Sequence, residues 1–222
     1  MKISIICPSY EFYGRGAELL GDLFKTIKTQ TYKNFEVIVP DHSTGDIIEN
    51  EIKKWKGIFD IRYFKNEKGR GNSSINMNEG IKKANGDIIK VMHIDDMFCN
   101  DKTLELIVNG LKNNPDKKWG YCTFHHYDEG AKVFKNKLST FGCPSTFFYI
   151  QDKDESILFD ENLIYVNDGE MCNRLQKKYG KPIDIKELCV TIRLHADQVT
   201  NKLITKDIIQ KEKKYFNKIK NE

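Results

Sequence analysis

Four apolar runs open the chain, KISIICPSY, FEVIVPD, DIRYFKN and GDIIKVMHIDD, and three stretches with helical spacing separate them. Those stretches are AELLGDLFKTIKTQ, DIIENEIKKWKG and SSINMNEGIKKANG. This alternation limits the fold more than any other feature, because short strands joined by helices build a parallel sheet covered on both faces. Ligands of such sheets bind outside the carboxyl ends of the strands. Three polar groups fall at those ends: Pro8-Ser9-Tyr10, Asp41-His42-Ser43 and Asp95-Asp96. Ser43 or Thr44 is placed to cap the second helix, and Gly86 to end the third as its C′ residue.

The second half changes character. DKTLELIVNGLKNNP is a helix stopped by Pro115, and WGYCTFHHYDEGAKVFKN is a hairpin turning at Asp128-Glu129-Gly130. STFGCPSTFFYI is aromatic and loop-like, a candidate pocket wall together with the hairpin. NDGEMCNRLQKKYG is a helix with Asp168 and Glu170 in its first turn, where the dipole favours acids. ELCVTIRLHADQVT is a last strand, and Lys202 to Glu222 a charged amphipathic helix. No linker or repeat interrupts residues 1–200, which are expected to form one domain carrying the tail 201–222.

The 36 basic and 32 acidic residues of the 222 leave a net charge of only +4. That balance, with no basic patch interleaved with aromatics, argues against nucleic acid as a partner. No apolar run approaches the ~20 residues that span a bilayer. MKISIICPSY lacks the h-region and cleavage site of a secretory signal. The six scattered cysteines are therefore expected to be reduced thiols of a cytoplasmic protein.

Asp95-Asp96 is the sharpest chemical signal. Neighbouring side chains on a strand point to opposite faces, so joint use requires the chain to turn there. Adjacent carboxylates suit a hard divalent ion such as Mg²⁺ or Mn²⁺ shared with a diphosphate. The competing reading is a cap on the helix near Asp101, or on the turn before it. Asp41 by itself reads as a cap, Asp168 as a dipole complement, and His195 as a hydrogen-bonded histidine at a strand end. His125-His126 lacks a third spaced ligand and is no zinc site. The glycines of YGRGAELLG and KGRGNSS miss required positions of both the dinucleotide and the P-loop motifs.

Taken together, the residues from about Lys2 to Val199 resemble the family 2, GT-A-type glycosyltransferases. SIICPSY is similar to the family's opening strand, and TIKTQTYKNFEVIVPDHSTGD to its Ser-Ile-x-x-Gln-Thr-Tyr, strand, Asp-Asp-Gly-Ser block. NEGIKKANGDIIKVMHIDD resembles the Asn-x-Gly-Ile, strand, Asp-x-Asp-Asp block, and FDENLIYVNDGEMCNRLQKKYG the later Phe-Asp-Glu, Glu-Asp, Arg-Leu block. The resemblance implies an α/β GT-A fold: a mainly parallel Rossmann-like sheet flanked by helices, with a small antiparallel hairpin in the acceptor half. Residues 1–97 would hold the nucleotide sugar and 98–200 the acceptor.

The same resemblance implies an inverting, metal-assisted transfer from a nucleotide-diphosphate sugar, UDP favoured, with Mn²⁺ or Mg²⁺. Asp168 would be the general base, and Asp41 would bind the base beside Pro8 and Tyr10. Arg70 would lie over base or phosphates, and Asp95 near the ribose or the ion. Asp96 would ligate the metal, with His195 adding a contact. The acceptor, whether glycan, lipid-linked or protein, is not specified. The terminal helix is left three placements: on the domain, on a second copy, or at a membrane surface.

Three positions depart from the family pattern. His93 replaces the first acid of Asp-x-Asp, Pro40 the first acid of Asp-Asp-Gly-Ser, and Met77 an arginine before Asn78. Two other readings compete with transfer: a catalytically degenerate nucleotide-sugar-binding module, and a sugar-1-phosphate nucleotidyltransferase. The second lacks its glycine-rich loop directly after the first strand.

Overall fold

The computed structural model describes residues 1–140, 142–152, 155 and 157–220. Phe141 of the aromatic stretch and Glu222 of the tail therefore lie outside the described residues. Four strands open the fold as the alternation predicts: β1 (Ile3–Ile6), β2 (Phe35–Asp41), β3 (Ile61–Lys65) and β4 (Ile88–Val91). They lie parallel in the order β3-β2-β1-β4. α1 (Gly16–Thr29), α2 (Ile47–Trp55) and α3 (Ser73–Lys82) connect them. Every residue of β1, β2 and β4 is buried, the pattern of strands covered on both faces.

Beyond β4 come β5 (Met97–Phe98), α4 (Thr103–Asn113), β6 (Trp119–Asp128), β7 (Val133–Ser139) and β8 (Phe147–Ile150). They are followed by α5 (Asn167–Tyr179), β9 (Ile183–Leu194), α6 (Val199–Lys202) and α7 (Lys206–Ile219). β8 joins β4 antiparallel, and the sheet continues through β6 and β9 to β5. β6 and β7 form the expected hairpin. The sequence-based reading of STFGCPSTFFYI as loop fails for its last four residues. Phe147, Phe148 and Tyr149 are buried strand residues; Phe148 and Tyr149 pair with both β4 and β6, and Phe147 with β6.

Two apolar layers sandwich the sheet. Leu19, Leu23 and Phe24 of α1 and Leu104 and Ile107 of α4 pack on one face, with Ile3, Ile5, Val37 and Val39. Met77 and Ile81 of α3 and Met171 and Leu175 of α5 pack on the other, with Ile6, Ile38 and Ile89. Met77 is thus a core residue, with no exposure.

Three further expectations give way. Gly86 does not end α3, which stops at Lys82. It sits against β1, where a Cβ would lie 2.7 Å from the Ser4 nitrogen and 2.8 Å from the Lys2 oxygen. Neither Ser43 nor Thr44 caps α2, whose N-cap position is Asp46. Instead the Ser43 amide donates to Asp41 Oδ1 at 2.8 Å, and the Thr44 hydroxyl to Glu11. The tail is not one helix either: Leu203-Ile204 breaks it, and Thr205 caps α7 by accepting from the Ile208 amide. α7 makes contacts with its own domain, through Glu212 and Tyr215.

Candidate active site

The carboxyl ends of β1, β2 and β4 open onto a cavity of about 480 Å³. Pro8, Ser9 and Tyr10 line it from β1, His42 from β2, and His93, Asp95 and Asp96 from β4. All three polar strand ends singled out in the sequence therefore meet in one place. Arg70 and Asn76 close one side, while Cys143, Tyr165, Asn167 and Asp168 close another. Leu203 and Ile204 reach it from the connection between α6 and α7. Gly142, Cys143 and Pro144 of the aromatic stretch contribute to the wall, whereas no residue of the Asp128-Glu129-Gly130 turn is among the lining residues. Glu129 is engaged elsewhere, paired with Arg15 at 2.7 Å.

Asp95 and Asp96 occupy a turn that the Asp96 amide closes by donating to the His93 carbonyl at 3.0 Å. Neither caps a helix, since α4 begins beyond them at Thr103 with Lys102 at its N-cap. The turn sends the two carboxylates different ways. Asp95 Oδ2 lies 3.2 Å from His195 Nε2. Asp96 accepts from the Arg193 amide at 3.3 Å and from the Cys143 thiol at 3.7 Å. Burial, reinforced by the charge of Asp95, raises the Asp96 carboxyl well above the ordinary range. Lys90, fully buried on β4, offsets part of this; its ammonium donates to the Ser145 carbonyl.

His195 therefore partners Asp95 rather than Asp96. Two acceptors 3.2 Å apart need a proton or a cation between them. Either an Nε2–H donates to Asp95, or a divalent ion takes the proton's place. Oxygen and nitrogen ligands at about 2.1 Å on adjacent corners of an octahedron stand about 3 Å apart, so this pair fits such an ion. No cluster of three His, Cys, Asp or Glu ligands occurs among the described residues. Diphosphate oxygens and water would have to complete the shell, as is usual for Mg²⁺ and Mn²⁺.

Asp41 does not face the cavity. It is fully buried, and its carboxylate accepts from the Ser43 amide at 2.8 Å and the Tyr63 hydroxyl at 2.9 Å, with Lys65 also 2.9 Å away. Its neighbour His42 takes the wall position, its Nε2 lying 3.0 Å from Asn66 Nδ2 and 3.1 Å from the Lys68 carbonyl. Arg70 stands on an exposed loop, 3.5 Å from the Ser43 carbonyl.

Asp168 lines the cavity from the first turn of α5, accepting from the Gly169 amide at 2.7 Å. Burial pushes its carboxyl up to about 6. The loop leading to it is held by α3. Asn78 donates to the Phe159 carbonyl at 2.9 Å and accepts from the Phe159 amide at 2.8 Å, and Asn72 donates to the Glu161 carbonyl. Ser74 bonds both the Leu163 carbonyl and the Asn167 side chain.

The sequence missed Asn76, Phe12 and the α6–α7 connection as parts of this site. Asn76 sits inside a helix and gives no signal; it donates to the Ser9 and Pro40 carbonyls and so ties two strand ends together. Phe12 and Tyr13 hold φ of 43° and 53°, the left-handed region that aromatic residues avoid. That strain brings the Phe12 ring against Tyr10 and His195, with centroids 4.0 and 5.9 Å away. His93 lines the cavity with Nε2 buried and without a partner among the described residues.

Solved glycosyltransferase structures share this fold. The solved structure of Staphylococcus aureus TarS 1–349 in complex with UDP-GlcNAc superposes with a TM-score of 0.72 at 16% identity, over 95% of this chain and 64% of that one. The mannosyltransferase PcManGT of Pyrobaculum calidifontis, in complex with GDP-Man and Mn²⁺, gives 0.61 at 15% identity, over 87% and 56%. Among sequences, an uncharacterised glycosyltransferase of Rickettsia conorii is 30% identical over 186 residues, 77% of this chain and 29% of the relative. The GalNAc(5)-diNAcBac-PP-undecaprenol beta-1,3-glucosyltransferase of Campylobacter jejuni is 28% identical over 137 residues, 61% of this chain and 43% of the relative. The chain spans from 18% to 29% of the length of three of its Rickettsia relatives. The model of glycosyl transferase family 2 matches residues 4–178, and the chain belongs to that family.

Proposed function

We propose that the chain transfers a sugar from a nucleotide-diphosphate sugar, UDP-sugars first, to an acceptor hydroxyl with inversion at the anomeric carbon. One juxtaposition supports this reading: Asp168 faces the same cavity as Asp95, its carboxyl pushed up to about 6. A base is most effective when its pKa lies near the working pH. Asp168 would take the proton from the acceptor hydroxyl as it attacks. Pro8, Tyr10, His42 and Arg70 would enclose the nucleotide, and Asp41 would act on the base through the loop it orders. Asp95 and His195 would hold the ion, and Asp96 would brace the turn between them. Mn²⁺ or Mg²⁺ bound there would neutralise charge on the departing diphosphate.

The TarS complex with UDP-GlcNAc favours uridine donors, and the PcManGT complex with GDP-Man and Mn²⁺ favours a divalent ion. The Campylobacter jejuni relative carries an undecaprenyl-diphosphate-linked glycan in its name, so such acceptors are the first to try. The decisive measurement is nucleotide release from UDP-glucose, UDP-GlcNAc and GDP-mannose with Mn²⁺, with and without acceptor. Transfer product from one donor is expected. Donor binding without release under every condition would instead identify a binding module, and calorimetry showing no binding at all would end both readings.

A further inference from the structure

α7 is largely exposed, yet Glu212 in its middle is 6% exposed. Its carboxylate accepts three consecutive backbone amides, from Ile164 at 3.0 Å, Tyr165 at 2.9 Å and Val166 at 3.1 Å. Those amides lead into α5, whose N-cap residue Val166 has no side chain able to cap. Helix starts leave about four amides without intrahelical partners, and an anion there is favoured by the dipole as well. A carboxylate from far along the chain thus grips the turn that leads into α5, and of the helix-start amides it takes only that of Val166.

The gripped segment is also cavity wall: Ile164 and Tyr165 line it, followed by Asn167 and Asp168. The connection leading into α7 lines it too, through Leu203 and Ile204. A second tie holds the helix, the Tyr215 hydroxyl donating to Asp160 Oδ2 at 2.9 Å. We propose that Glu212 is a positioning residue for Asp168: by gripping the amides of Ile164, Tyr165 and Val166 it fixes the turn that aims Asp168 into the cavity, and it keeps Leu203 and Ile204 against the acceptor side. The catalytic consequence rests on the reading of Asp168 as the base; the grip itself does not.

Loss of the grip lets water reach Asp168, so its titration reports on the grip whether or not the enzyme turns over. The Cys143 and Cys172 thiols face Asp168 and neither belongs to α7; burial raises both, so they stay neutral where Asp168 titrates. The test compares Glu212→Ala, Glu212→Gln and the exposed control Lys214→Ala in the full chain. The readouts are the carboxyl ¹³C titration of Asp168, amide exchange at residues 164–166, and UDP release from UDP-glucose with Mn²⁺.

In Glu212→Ala, exchange at those amides should rise by roughly tenfold or more, as expected for losing charge-assisted hydrogen bonds. The Asp168 midpoint should fall from about 6 toward the ordinary value, and kcat for UDP release should drop with little change in KM for the donor. Glu212→Gln keeps one acceptor oxygen where Glu212 uses both, so it should recover part of each effect, and Lys214→Ala should show none. Unchanged exchange and an unchanged Asp168 midpoint in both Glu212 variants would overturn the proposal. So would equal changes in Lys214→Ala. Wild-type protein that releases no UDP would refute transfer from this donor, while a shifted midpoint in Glu212→Ala would still support the positioning role.

Discussion

Asp168 bears a cost that helix-start carboxylates at a free surface avoid. Burial lifts its carboxyl to about 6, with the Gly169 amide working against the rise. A carboxyl raised in the folded state contributes stability while protonated, fully below the unfolded value of about 3.9, and loses it as pH climbs through about 6. Asp168→Asn keeps the shape and an acceptor for the Gly169 amide but removes the charge. It should therefore stabilise the protein at pH 8 by on the order of 1–3 kcal/mol, and by almost nothing near pH 4. Transfer should fall about 10²–10⁴-fold, the usual worth of a general base, with donor affinity unchanged. Wild-type turnover should fall on the acid side with a midpoint near 6, as the base becomes protonated. A variant with lower stability at pH 8, or with full turnover, would remove Asp168 from the role.

At the scale of elements, α3 shows why the Asn-Glu-Gly-Ile stretch has the residues it has. Asn78 clamps both backbone groups of Phe159, and Ile81 packs in the core. Between them, Gly80 crosses the sheet so closely that a Cβ would lie 2.5 Å from Ile6 Cγ2 and 3.1 Å from Pro40 Cγ. One helix thus sits on β1 and β2 and holds the loop that leads to Asp168. Asn78→Ala should cost about 1–3 kcal/mol through the two buried backbone groups it abandons, and should impair transfer more than donor binding; denaturant unfolding and calorimetry would separate the two. Gly86→Ala tests a different contact. A Cβ there pushes against the backbone of Ser4 and Lys2 as well as the Ser4 hydroxyl, which Glu36 holds, so a loss of roughly 1–3 kcal/mol is expected. Wild-type stability in Gly86→Ala would show that the strand edge yields easily.

Across the whole molecule, the parallel half was legible because its strands are continuous apolar runs between amphipathic helices, a local signal. β8 was not, because the place of Phe148 and Tyr149 between β4 and β6 depends on partners distant in sequence. The same limit governs the site. Strand-end residues such as Asp95 could be found from position alone, but the pairing of Asp95 with His195 joins residues 100 positions apart. Asp41 was legible as important but not as fully partnered, since Tyr63 and Lys65 reach it from the neighbouring strand. A cavity assembled from so many elements should couple ligand binding to global stability. Saturating UDP with Mn²⁺, at a hundred times the dissociation constant, should stabilise the fold by about 2.7 kcal/mol, which for a chain of this size raises the melting temperature by roughly 5–11 °C. Chelation by EDTA should remove most of that shift, and Asp95→Asn should make UDP stabilisation insensitive to Mn²⁺. If UDP alone gives the full shift, the Asp95–His195 pair holds a proton and the ion has no part in donor binding.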